Sequence, residues 1–130
     1  NKLAYRMILL LGADIPTDVK LGRNVRFPHN SIGTVLHNNT YIGNNVKIYQ
    51  DVTFGRADIW KSAVESKFEK FVVEDGAVIC AGAKIIGEKG VLTIGKNSII
   101  AANAVLLNST GENEVWGGIP AKLIGLRDRE

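Results

Sequence analysis

The chain is short of the residues that metal clusters, disulfide frames and membrane spans require. Cys80 is its one cysteine, so no intramolecular disulfide can form, and a reducing cytoplasm is the compartment to expect. Its 2 histidines, His29 and His37, lie eight residues apart and fall short of a three-histidine zinc set, so no metal is expected. The longest apolar run near the start, Met7 to Leu11, is too short to cross a bilayer, and Arg6 interrupts its approach; no membrane partner is expected. The net charge is only +3 and no Lys/Arg run is dense enough for nucleic acid, although the small surplus suits a phosphate-bearing ligand. The numbering opens on Asn1 instead of an initiator Met, as a trimmed or processed start would.

What the chain has instead is a period. Ile42, Ile48 and Phe54 recur every six residues, with Val46 and Val52 four places after the first two, which fits neither a helix nor an amphipathic strand. Over the whole chain the leading residues are Ile15, Leu21, Phe27, Leu36, Ile42, Ile48, Phe54, Val73, Ile79, Ile85, Ile94, Ile100 and Leu106. Their fourth-place partners are small or β-branched except Asp58 and Lys89, and both exceptions fall where the register jumps. A repeat of this kind is a solenoid in which each hexad supplies one short strand and one turn, and three faces close a coil. The fold expected is an all-β, left-handed parallel β-helix of about four coils.

Turn chemistry agrees. Leu21-Gly22-Arg23-Asn24, Ile42-Gly43-Asn44-Asn45 and Ile94-Gly95-Lys96-Asn97 repeat one corner, and Gly and Asn tolerate the left-handed backbone that tight corners need. The 130 residues are read as one domain: a capping helix in 1–13, coils over 14–110 with an inserted loop at 56–71, and a tail at 111–130. A short helix across Ser62 to Lys70 is expected inside the loop. Three extra residues must bulge between Pro28 and Val35, and the two histidines flank them.

The hexads, the HNSIGTVLH segment, AGAKIIG at Ala81 to Gly87 and GGIPAKLIG at Gly117 to Gly125 together resemble the left-handed β-helix (hexapeptide-repeat) acyltransferases, nearest to the catalytic domain of serine acetyltransferases. The resemblance implies a homotrimer that moves an acetyl group from acetyl-CoA, its co-substrate, to a hydroxyl of a small acceptor. It places His29 on the family's general base and Asp14 on the aspartate that orients it, with His37 as an additional or alternative base. It places Ala81 and Ala102 beside the pantetheine arm and Lys122 near the adenosine phosphates. The chemistry needs such a base, because a hydroxyl is a poor nucleophile toward a thioester until its proton is taken, and a neutral imidazole is available for that near pH 7. Cys80, at a corner position where Gly is usual, reads as structural filler and not as an acyl-carrying nucleophile.

The chain also departs from that family. Pro28 stands where an acidic residue precedes the histidine, and Glu69-Lys70 stand where the family has an Arg-His pair. A sugar or polysaccharide precursor is therefore the alternative acceptor, with Trp60 of the inserted loop as a surface for its ring. The reading from another class is a non-catalytic β-helix scaffold.

Overall fold

A computed structural model describes residues 1–128. Three sheets, parallel except for the last strand, run the length of the molecule, and up to Leu106 the chain visits them in rotation. The first face carries Thr53–Arg56, Lys84–Gly87 and Val105–Leu106, extended downward by bridges from Thr53 to Val35 and from Val35 to Asp14. The second carries Lys20–Leu21, Thr40–Ile42, Phe68–Val73 and Gly90–Ile94. The third carries Lys47–Ile48, Val78–Ile79, Ile99–Ile100 and Glu114–Gly117.

The register shows why the period is six. Phe54 pairs with Ile85 and Ile85 with Leu106; Ile42 pairs with Val73 and Val73 with Ile94; Ile48 pairs with Ile79 and Ile79 with Ile100. Each leading residue thus stacks on another one coil away, and because alternate strand residues face opposite ways, the whole row points inward. Ile48, Ile79, Ile85, Ile94, Ile100 and Leu106 are fully buried, as are the fourth-place residues Val46, Val52, Ala77, Ala83 and Ala104. Burying a Leu, Ile or Val side chain contributes roughly 1.5–3 kcal/mol, so this ladder is the main source of cohesion.

Three corners join the faces: corner I from first to second, corner II from second to third, and corner III from third to first. Corner II is the repeated Gly-X-Asn turn, with Asn24, Asn45 and Asn97 all left-handed. Both excursions, the long one after Arg56 and the short one after Gly87, leave at corner I. The three-residue bulge sits at corner III as a single distorted turn, Pro28–Ser31, in which His29, Asn30 and Ser31 have φ of 60°, 58° and 59°.

Several expectations need correction. No helix forms over Ser62 to Lys70. Ser62 and Glu65 do exchange the reciprocal hydrogen bonds of a helix start, Ser62 N–H to Glu65 Oε2 at 3.1 Å and Glu65 N–H to Ser62 Oγ at 3.4 Å. From Phe68 the backbone instead joins the second face, where Phe68 and Phe71 enter the core beside Phe54. The excursion therefore ends at Phe68, earlier than expected. Asp58, which breaks the fourth-place rule in chemistry, keeps it in position: it is buried, 3.8 Å from Arg56 Nε, and its Oδ1 accepts no hydrogen bond among the described residues.

The segment beyond Thr110 is no loose tail. Val115 and Trp116 pair in parallel with Ile99 and Ile100, adding a rung to the third face, and Lys122–Leu126 folds back antiparallel on it. Trp116 Nε1–H donates to Glu114 Oε2 at 2.8 Å and its ring packs on the core, so an aromatic serves where a hexad would place an aliphatic. Arg129 and Glu130 lie outside the described residues. At the other end the helix, Lys2–Leu10, is capped by Asn1 but buries none of its residues fully, so it lies against the first coil without sealing it. No helix among the described residues is long and apolar enough to cross a membrane.

Candidate active site

Corner III gathers most of the residues singled out from the sequence. Successive rungs stack there through backbone bonds: Gly33 N–H to Gly12 O (2.8 Å), Asp51 N–H to Ile32 O (2.9 Å), Gly82 N–H to Gln50 O (3.0 Å) and Asn103 N–H to Ala81 O (2.9 Å). The bulge with His29 is at the foot of this column, and Gln50, Ala81 and Ala102 follow on the next coils. With coils about 4.8 Å apart, Ala81 is roughly 10 Å and Ala102 roughly 14 Å above the bulge. Val105 N–H bonds Gly118 O at 3.0 Å, which carries the column to the terminal hairpin, where exposed Lys122 pairs with Gly117.

His29 is exposed and left-handed, a conformation uncommon outside Gly, Asn, Asp and His. The turn presents its imidazole on the surface, tilted at 47° to Tyr49 with ring centroids 6.4 Å apart. Tyr49 anchors the turn from the next coil, because its carbonyl accepts from buried Thr34 Oγ1 at 3.2 Å. Tyr49 carries no hexad signal, so sequence periodicity does not flag it.

The track above the histidine is open in a specific sense. Among the described residues the backbone N–H groups of Gln50, Ala81 and Ala102 donate to no acceptor, and Gln50 Oε1 is buried without a hydrogen-bond partner. The alanines leave those donors reachable. An extended chain of amides laid along the corner would find a row of unpaired donors, which suits a pantetheine arm. Cys80 is half-buried beside this track, and burial pushes its thiol pKa up, so it is a thiol and not a thiolate at neutral pH.

Asp14 stands one rung below Val35, its N–H bonded to Thr34 O at 2.8 Å. Its Oδ1 accepts from the Tyr5 hydroxyl at 2.9 Å, a bond that also raises the Tyr5 pKa. No hydrogen bond joins Asp14 to the His29 ring among the described residues. Tyr5 is a residue that sequence reading passes over, since only the fold brings the capping helix to this carboxylate.

His37 is elsewhere. It lies at corner I, half-buried, edge-on to Phe68 (5.2 Å, 82°) and Phe71 (5.9 Å, 71°). Within one protomer the two histidines therefore occupy different corners of the prism. Burial and the nearby Arg56 guanidinium lower the His37 pKa, keeping the ring neutral. Among the described residues no group of three or more His, Cys, Asp or Glu side chains is placed to hold a metal.

No family model matches the chain. It is 35% identical over 122 residues to the serine acetyltransferase of Haemophilus influenzae, covering 94% of this chain and 42% of that protein. Among solved structures it is similar to the Brucella abortus serine acetyltransferase in complex with coenzyme A (TM-score 0.81, 29% identity, 98% of this chain and 49% of that one). It is also similar to the Neisseria gonorrhoeae serine acetyltransferase in complex with serine (TM-score 0.78, 30% identity, 95% and 48%). The chain thus spans about half the length of the relatives it matches. Over that span its three-sided coil, its stacked hexads and these likenesses agree: the chain belongs with the left-handed β-helix, hexapeptide-repeat acyltransferases, and among them it resembles the serine acetyltransferases.

Proposed function

We propose that the chain is an acetyl-CoA-dependent O-acetyltransferase of the serine acetyltransferase type, with His29 as general base. The observation that carries this reading is the exposed imidazole at the foot of an open amide track on one corner. The names of the similar proteins, and the coenzyme A and serine in the Brucella and Neisseria complexes, support it. Acetyl-CoA lies along corner III, its pantetheine arm against Gln50, Ala81 and Ala102 and its phosphates toward Lys122. The acting form is a homotrimer, in which corner III of one protomer faces a neighbour and the cleft between them excludes water, and the compartment is the cytoplasm.

His29 takes the acceptor's hydroxyl proton as the oxygen attacks the thioester carbonyl. The tetrahedral intermediate then collapses, the C–S bond breaks, and the CoA thiolate takes the proton from the imidazolium to leave as the free thiol. Asp14, whose Oδ1 is held by Tyr5, has its other carboxylate oxygen left to orient the ring and favour the imidazolium once substrate is bound. An N–H of the bulge supplies the oxyanion donor. Positioning the two substrates contributes the larger share of the acceleration, and the base typically ~10²–10⁴-fold.

The acceptor is serine on the strength of the relatives. A sugar is the second reading, favoured by one observation: Trp60 on the excursion is 78% exposed and offers a ring-stacking surface. Thiol release from acetyl-CoA, measured with serine, free sugars and nucleotide sugars, tests both. Turnover with one acceptor class identifies it; no turnover with any, together with no CoA binding, leaves a β-helix scaffold.

A further inference from the structure

The His37 ring is held in one protonation form by its own loop. Asn39 N–H donates to His37 Nδ1 at 3.1 Å, sharing that hydrogen with Asn38 Oδ1 at 3.1 Å. With Nδ1 accepting and the ring neutral, the proton must sit on Nε2. A histidine fixed in this tautomer is a hydrogen-bond donor at its free end and has no lone pair there to take a proton. In this form His37 presents a donor to its surroundings.

The ring borders a cavity of about 250 Å³ that it shares with Asn38, Asn39, Arg56, Ala63 and Phe68. Arg56 is held by its own contacts: Nη2–H donates to Lys61 O at 2.9 Å, and Nε lies 3.8 Å from Asp58 Oδ1. Asp58 is beyond good hydrogen-bond distance and offsets the charge only in part. Among the described residues the Nη1 group makes no hydrogen bond. One wall is aromatic, from Phe68, and the His37 ring packs edge-on to Phe68 and to the buried Phe71, so water is shut out on that side.

We propose that His37 Nε2–H and the Arg56 guanidinium form an oxyanion subsite at corner I that takes a carboxylate or phosphate of the acetyl acceptor. Two donor side chains lining one cavity, one of them a forked cation, beside an aromatic wall suit an anionic oxygen pair better than a neutral hydroxyl. Asn39 Nδ2–H donates to Glu69 O at 3.2 Å and fixes the loop that sets the tautomer, tying the subsite to the second face. The assignment of the anion to an acceptor rests on the acetyltransferase reading and on a neighbouring protomer bringing this corner to its His29; the anion site itself rests on neither.

Nitrogen NMR of the His37 ring, with L-serine, D-glucuronate, inorganic phosphate and neutral methyl glucoside as separate probes, tests the subsite. The expected result is an Nε2–H ring whose resonance moves with at least one anionic probe and not with the glucoside. Serine or glucuronate acting alone identifies a carboxylate, and phosphate acting alone identifies a phosphate. Arg56→Gln should weaken that binding about ten- to hundredfold. His37→Gln, which keeps an N–H donor, should retain more affinity than His37→Leu, and in turnover assays the Leu variant should raise the acceptor KM more than it lowers kcat. An Nδ1–H ring, a ring indifferent to every anion, or unchanged affinity in Arg56→Gln overturns the subsite. Acetyl transfer that persists alongside any of these results would leave the proposed function standing and sink the subsite alone.

Discussion

Corners II and III are made of the same kind of turn, yet their free backbone donors are treated in opposite ways. At corner II three of the four corresponding amides, those of Arg23, Asn44 and Lys96, are capped by side chains from other coils, Asn44 Oδ1 at 2.8 Å, Asp75 Oδ1 at 2.7 Å and Glu74 Oε2 at 2.9 Å, and among the described residues only that of Asp75 is left open. At corner III the corresponding amides of Gln50, Ala81 and Ala102 are uncapped among the described residues, and the side chains there are mostly too short to reach them. Corner II thus meets most of its own hydrogen-bonding needs. A corner that leaves donors open along its length is prepared for a ligand that runs the same way.

The comparison fails outright if the base is not at the foot of the open corner. His29→Ala is expected to lower kcat by at least ~10²-fold without changing assembly, because the ring is exposed and its loss leaves no cavity. Steady-state kinetics with size-exclusion chromatography checks this, and near-normal turnover in that variant with loss in His37→Ala would move the base to corner I. Next in size is a block on the track. Ala102 is exposed, so Ala102→Phe should leave folding intact while raising the KM for acetyl-CoA about tenfold, the scale of one lost charged or two lost neutral contacts. The matching change at corner II, Lys96→Phe, should leave that KM unmoved. Equal effects from the two would mean that open amides do not mark the donor groove.

Legibility in the sequence followed locality. The hexads gave the buried ladder because in this fold a residue's burial depends on its place in a short repeat, and the stacked pairs Phe54–Ile85 and Ile48–Ile79 come directly from it. Periodicity also located the bulge at Pro28 to Val35 and the excursions. It could not show that Asp58 stays buried, since a charged side chain reads as a break, nor that Trp116 adds a rung, since the residues before it depart from the six-step count. The helix expected over Ser62 to Lys70 failed because its local start signal at Ser62 and Glu65 is outweighed by two edges waiting for a strand, Thr40–Ile42 and Gly90–Ile94. Which histidine shares a corner with the alanines is a matter of three-dimensional rotation, and neighbouring positions in sequence gave no sign of it.

A smaller effect should appear at the capped corner. Asn44→Ala removes the acceptor for Arg23 N–H and is expected to cost about 1 kcal/mol. Denaturant unfolding measures it, and the KM for acetyl-CoA should not change. A drop in affinity for acetyl-CoA larger than the drop in stability would show that corner II also serves the donor.

The smallest expected effect separates His37 from both corners. Its folded-state pKa is lowered, first by burial and then by Arg56, so between that value and the ordinary ~6.5 the unfolded chain binds more protons than the folded one. Stability from this group is therefore complete above about pH 6.5 and is lost as the pH falls toward the folded value, where the ring must charge between Phe68, Phe71 and the Arg56 cation. His37→Gln cannot charge and should flatten that part of the stability profile, measured by unfolding between pH 5 and 8. If the slope persists unchanged in His37→Gln, the ring is not held neutral by Phe68, Phe71 and Arg56, and the tautomer argument for corner I goes with it.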